Sequence, residues 1–326
     1  MSYDCQTMLD GCDSPVFSRA LIDLCLPYLL ESQNGDGGWA YTAGLVSRAE
    51  PTAWAVCALA KHGRNESQHA ARRGRLWLSN AQGTNGWWTP YPGMQEGAWV
   101  TAAACVALLN DSENSHAVAR GARVLCRFQP KKYGIWQKLG SLIRPKGAID
   151  QDFSLYGWSW IPGTASWVIP TAMTLIFFRN LPQEQWPKGT AERIAVGEAM
   201  LLDRVCPGGG WNIGNPMVYG AAGIPLVEPT AWALLALQNQ FNLPKVQDSV
   251  AWLERAVKMG DAAGALGAAS IALEVHGRPT ADLGHSVSTR WASNQFLNNN
   301  AAVALSALAL LPGPDALRWR PSGTTT

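Results

Sequence analysis

The sequence predicts an all-α fold, a single α/α toroid of six helix pairs, an (α/α)6 barrel, and three observations lead there. The pentapeptide Glu-Pro-Thr-Ala-Trp occurs at Glu50 to Trp54 and again at Glu228 to Trp232, with a degenerate copy from Ile169 to Met173. A Gly-rich turn carrying Trp precedes each copy, and a fourth such turn, Gly86-Trp87-Trp88, precedes Glu96-Gly97-Ala98-Trp99. Helices of two compositions alternate between the turns. A recurring unit that cannot bury its apolar face alone must stack on its neighbours, so the repeat decides the architecture.

Periodicity and breakers predict the first helix of each pair over 16–33, 67–81, 114–129, 188–206, 244–259 and 280–296, and the second over 51–63, 96–110, 166–180, 229–241, 262–276 and 299–311. First members carry a charged face, for example Arg72, Arg73 and Arg75, or Glu192, Arg193, Glu198 and Asp203, as helices facing water do. Second members, such as Ala98 to Leu109 and Ala301 to Leu311, are apolar or small throughout and are expected to be covered on all sides. Two concentric layers follow, with the apolar set inside. The Pro of each repeat suits the first helical position, where no N–H is needed. The Gly-Trp turns then lie at one rim, and Trp39, Trp88 and Trp211 read as staples between helix pairs.

The segment 130–156 does not fit the repeat and reads as an insertion in one domain spanning 1–326. Ile135, Trp136, Leu139, Leu142 and Ile143 follow helical spacing among Lys131, Lys132, Lys138, Arg144 and Lys146. A basic amphipathic helix over 131–146 fits a peripheral membrane contact, or a lid over the toroid mouth with its charges in water.

Composition narrows the function. Apolar residues make up 47% and charged residues 15%, enough for a large core under a thinly charged shell, and sixteen tryptophans stand out. A net charge of +2 without a basic run argues against nucleic acid. Seven scattered cysteines without a Cys-x-x-Cys pair, and a polar N-terminal stretch, point to a reducing cytoplasm. The apolar runs are too short to span a bilayer. No strand-borne phosphate loop and no Ser/His/Asp arrangement stands out.

Gln33 to Trp39 and Gln82 to Trp88 both read Q-x-x-x-G-x-W, Gln129 to Trp136 approximates it with one extra residue, and the copy ending at Trp211 lacks the Gln. In this the chain resembles the squalene cyclases and their prenyltransferase relatives. The resemblance implies the same toroid and, for its class II cyclase branch, protonation of a linear isoprenoid by the central acid of an Asp-x-Asp-Asp-Thr-Ala motif. Laid on this chain, that acid falls on Glu228 in Leu226 to Ala231 and on Glu50 in Arg48 to Ala53, with Leu226 and Pro229, or Arg48 and Pro51, at the flanking positions. The prenyltransferase branch holds zinc, but Val227 to Trp232 has no such ligands and the sequence around His276 and His285 offers no zinc-binding motif, so no metal is expected. Family members pair two helical domains, which implies a second helical subunit here.

The resemblance thus assigns Glu228 as the proton donor and Glu50 as the second catalytic candidate, with Glu96 a poorer match beside them. An alkene needs a neutral acid in a dry site, whereas a helix N-terminus favours the carboxylate, so strong desolvation is required. The carbocation would be steadied by indole faces, each by roughly 0.5–2 kcal/mol, and Trp54, Trp99, Trp167 and Trp232 on the inner helices with Trp160 and Tyr219 on the rim are the expected lining. Asp150 and Asp152 form the one close carboxylate pair near the rim and would hold Mg²⁺ only if the substrate is a diphosphate; otherwise no cofactor is expected. Two other readings stay open. One is a non-catalytic toroid binding an apolar ligand or a partner protein. The other is a glycan-processing toroid using Asp36, Glu50 and Glu228 amid the tryptophans.

Overall fold

The computed structural model describes residues 15–91, 93–109, 111–130, 151–259 and 263–319. Twelve α-helices are found among them, in chain order α1 (Pro15–Glu31) and α2 (Ala49–His62), α3 (Asn65–Ala81) and α4 (Ala98–Leu108), α5 (Ser115–Arg127) and α6 (Val168–Asn180), α7 (Thr190–Asp203) and α8 (Val227–Ala236), α9 (Pro244–Ala256) and α10 (Ala263–Val275), α11 (Ala281–Asn294) and α12 (Asn300–Leu310). The even-numbered helices pack side by side in sequence order, and α12 returns to α2, which closes a ring. The odd-numbered helices lie outside, each on the inner helix that precedes it in the chain, with α1 on α12. This is the all-α toroid that the alternating compositions predict. The inner helices are buried along nearly their whole length, α4 over ten of its residues from Ala98 to Leu108.

The Pro of each repeat sits two places later than expected. Helices α2, α6 and α8 begin at Ala49, Val168 and Val227, so Pro51, Pro170 and Pro229 are third residues. They remain within the first turn, where the backbone N–H has no intrahelical partner to lose.

The Thr after that Pro holds the repeat together. Trp39 N donates to Thr52 Oγ1 at 2.8 Å and the hydroxyl donates back to Trp39 O at 3.2 Å. The same exchange joins Trp88 to Thr101, Trp158 to Thr171 and Trp211 to Thr230. Each of these tryptophans is at most 1% exposed, and its Nε1 donates to the last turn of the outer helix before it, on Leu29, Leu78, Leu125 and Leu201 respectively. Burying about 200 Å² of indole contributes about 5 kcal/mol, so the staple reading of Trp39, Trp88 and Trp211 has a physical basis. Gln33 and Gln82 stitch forward instead, their Nε2 reaching Ala70 O at 2.9 Å and Ala117 O at 3.0 Å on the next outer helix. Gly37, at φ 93°, brings the turn so close to that helix that a Cβ would stand 2.9 Å from Arg73 O.

Trp and Thr are 13 residues apart in the first three copies and 19 in the fourth. The excess is a hairpin, β1 (Met217–Val218) paired antiparallel with β2 (Ala221–Ala222). Its two-residue turn, Tyr219 at φ 51° and Gly220 at φ 75°, is the left-handed pair that tight hairpins use. The last two helix pairs carry no Trp turn. The ring is closed there by Asn300, buried at the start of α12, which donates from Nδ2 to Ala40 O at 2.9 Å and accepts from Ser32 Oγ at 2.7 Å.

The axis of the ring is filled. Trp54 on α2 and Trp232 on α8, helices on opposite sides, meet with ring centroids 5.4 Å apart. At the mouth where the inner helices end, residues 315–319 cross the opening. Asp315 takes Lys61 Nζ of α2 at 2.6 Å, Ala316 O takes Asn180 of α6, Arg318 takes Glu274 of α10 and the Leu308 and Ala309 carbonyls of α12, and Trp319 Nε1 donates to Leu235 O of α8. This clasp caps carbonyls that helix C-termini leave unpaired.

Candidate functional site

The Trp–Thr exchange sets the register between copies. Two residues before each Thr stand Glu50, Trp99, Ile169 and Glu228, at the starts of α2, α4, α6 and α8. The structural counterpart of Glu50 on α4 is therefore Trp99. Glu96, matched to the repeat by its Glu-Gly-Ala-Trp string, lies before the helix, and this register is a correction to that match: Thr101, not Ala98, occupies the position of Thr52.

Adjacent inner helices bring Glu50 and Trp99 together. Trp99 Nε1 donates to Glu50 Oε2 at 3.3 Å, and Tyr41 Oη donates to the same oxygen at 2.5 Å. Trp160 stands edge to face on Trp99, centroids 4.8 Å apart. Glu50, Tyr41, Trp99 and Trp160 are all half-buried. Burial, and next the negative charge of Glu50, push the Tyr41 hydroxyl well above its ordinary 10.0, so it stays a donor. Beside them Arg48 stacks on the Tyr91 ring at 5.1 Å. The result is a carboxylate held by two fixed donors, with aromatic faces around it, at the rim where the inner helices begin. Both of these hydrogen bonds fall on Oε2.

The other expected residues are spread out. Glu228 is exposed at the start of α8. Trp54 and Trp232 are 1% exposed and spent on each other, their Nε1 atoms buried without a hydrogen-bond partner. Trp167 is half-buried, its N–H donating to Trp158 O at 2.9 Å. Tyr219 is 85% exposed at the hairpin tip. Asp36 accepts hydrogen bonds within its own turn and from the next outer helix, from Gly38 N, Ser47 Oγ and Trp77 Nε1. Asp152 accepts from the N–H and hydroxyl of Ser154 at 2.7 and 2.6 Å, while Asp150 and the segment 131–146 lie outside the described residues. Among the described residues no group of three or more His, Cys, Asp or Glu could hold a metal, and no helix is long and apolar enough to cross a membrane.

The sequence reading missed Tyr41, Arg48 and Tyr91. A signal for the first was present: Tyr41 and Trp160 each lie two residues beyond a repeat Trp, Trp39 and Trp158. The same mouth carries exposed apolar side chains from several loops, including Leu45, Val46, Ile161, Ile213, Ile224 and Leu297.

No protein-family model matches the chain, and no curated protein matches it. Solved structures do. A protein from Actinoplanes is similar over 90% of this chain and 98% of its own, with 17% identity and a TM-score of 0.57. A glycosidase in complex with glucose is similar over 93% of this chain and 100% of its own, at 11% identity and TM-score 0.54. A type II terpene cyclase, MstE from Scytonema, in complex with geranylgeranyl dihydroxybenzoate, covers 94% of this chain and 99% of its own at 14% identity and TM-score 0.43. At these identities the first two likenesses establish the class, an all-α toroid, and nothing about chemistry.

Proposed function

We propose that the chain binds a linear, unsaturated isoprenoid at the rim of the toroid and that Glu50 starts its cyclisation by protonating an alkene. The observation that carries this reading is the Tyr41–Glu50–Trp99–Trp160 cluster, in which a half-buried carboxyl is oriented by two donors beside stacked indoles. The alkene π pair forms the new C–H bond with the Glu50 proton, and the Tyr41 hydroxyl and Trp99 N–H stabilise the carboxylate left behind. The cation formed on the adjacent carbon meets the faces of Trp99 and Trp160, the π pair of a second alkene of the substrate attacks it to close the ring, and the Glu50 carboxylate takes back a proton from the cyclised cation to leave an alkene. Glu228 shares the pentapeptide but is exposed to water, and water both levels acid strength and quenches cations. Glu50 therefore takes the role that the resemblance offers to either residue.

A second reading is favoured by the Trp54–Trp232 stack, which fills the ring axis where an enclosed substrate chamber would lie. On that reading the apolar rim binds an isoprenoid or a protein without changing it. Incubation of the purified chain with linear isoprenoids of increasing length, followed by mass spectrometry and by quenching of tryptophan fluorescence, separates the two. Cyclised product supports the enzyme. Saturable quenching with unchanged ligand supports the binding role, and neither signal overturns both.

A further inference from the structure

The opposite mouth of the toroid holds a second site. A cavity of about 270 Å³ opens where α2, α3, α4 and α12 meet the clasp at residues 315–319. Part of its wall is apolar: Val56, Val106 and Leu308 are each at most 6% exposed. Three charged side chains face it: Lys61, Arg75 and Asp315. Two of them answer each other, since Lys61 Nζ lies 2.6 Å from Asp315 Oδ2, and Asp315 also accepts from Arg318. The helix carbonyls at this mouth are partly answered as well, Ala60 O by Gln68 Nε2 and Leu308 O by Arg318.

Arg75 is the exception. Its Nε is buried without a hydrogen-bond partner, and the carboxylate paired with it, Asp111, stands 4.0 Å away, beyond hydrogen-bond distance. A buried guanidinium N–H that no protein acceptor matches is costly unless something else accepts from it, and a carboxylate is the acceptor that a guanidinium suits. Cys57 lines the same cavity, but burial pushes its thiol up to about 12, so it contributes an unreactive wall.

We infer that this cavity binds a small apolar monocarboxylate, its head hydrogen-bonded to Arg75 and its chain laid on Val56, Val106 and Leu308. A dianion such as phosphate is disfavoured because Asp315 presents a negative charge inside the same cavity and Lys61 is already neutralised. This site is separate from the Glu50 rim, at the other end of the inner helices.

Calorimetric titration of the full chain with hexanoate, hexan-1-ol and inorganic phosphate tests it. Hexanoate should bind saturably with a Kd on the order of 1 mM, and hexan-1-ol and phosphate at least about tenfold more weakly. Arg75→Gln should lose about tenfold in hexanoate affinity, Arg75→Lys should lose less, and Arg72→Gln, altered at an exposed position on the same helix, should bind as the unaltered chain does. Equal binding of hexanoate and hexan-1-ol overturns the inference, as does unchanged affinity in Arg75→Gln or the absence of saturable hexanoate binding. If Arg75→Gln fails to fold by circular dichroism, the comparison of the three ligands on the unaltered chain decides.

Discussion

Trp54 and Trp232 meet across the axis of the ring, centroids 5.4 Å apart and planes inclined by 33°. They occupy equivalent places in two copies of one pentapeptide, two residues beyond Thr52 and Thr230, and the counterparts on α4 and α6 are Ala103 and Met173. The two large indoles from opposite helices meet at the centre, with Ala103 and Met173 at the matching places on the helices between them. Trp54→Ala or Trp232→Ala should each cost about 3–5 kcal/mol in urea unfolding, because each leaves a cavity that the rigid ring cannot collapse. The double variant should cost less than the sum, since both remove the same contact.

The Thr hydroxyls should matter equally in all four copies. Thr52→Val keeps the shape but strands the buried Trp39 N–H and C=O, and the same holds for Thr101, Thr171 and Thr230. Each should lower the unfolding free energy by about 1–3 kcal/mol, while the Ser variants stay close to the parent.

This exchange explains how much the sequence could reveal. The toroid was legible because Trp, Thr and the small inner-helix residues recur at a fixed spacing. The register on α4 was not, because Glu96-Gly97-Ala98-Trp99 imitates the pentapeptide while the residue that folds the copy, Thr101, lies three positions past Ala98. The motif match places Glu228 ahead of Glu50 as the proton donor, an order that the proposed function reverses. Their pentapeptides are identical, and what sets Glu50 apart is its partial burial, with Tyr41 and, on the adjacent inner helix, Trp99, a neighbour 49 residues away. The closing roles of Asn300 and of the clasp from Asp315 to Trp319 carry no repeat signature at all, since each acts once, through tertiary hydrogen bonds.

Asp315 should be the most sensitive residue of that clasp. Its carboxylate is shared by Lys61 and Arg318, both nearly buried, and also accepts from the backbone of Leu317 and Arg318. Asp315→Asn leaves two buried cations with less counter-charge and should cost about 3–5 kcal/mol by urea unfolding. Lys61→Met, which leaves Asp315 paired with Arg318, should cost less.

Tyr41 adds a pH dependence. Its folded-state value is raised above the ordinary 10.0 by burial and then by Glu50, so the folded chain keeps this proton when the unfolded chain has lost it. Stability from this group is full below pH 10.0 and is lost as pH rises from there through the folded value. Unfolding curves taken between neutral and strongly alkaline pH should show that decline, and Tyr41→Phe should remove this part of it.

The claim that Glu50 is the acid is tested most directly by product formation in two matched variants, each checked for an intact fold by circular dichroism. With a linear isoprenoid that the unaltered chain cyclises, Glu50→Gln should reduce product by at least about a hundredfold, whereas Glu228→Gln should leave it within about twofold. Loss of product in Glu228→Gln with retention in Glu50→Gln would contradict the account.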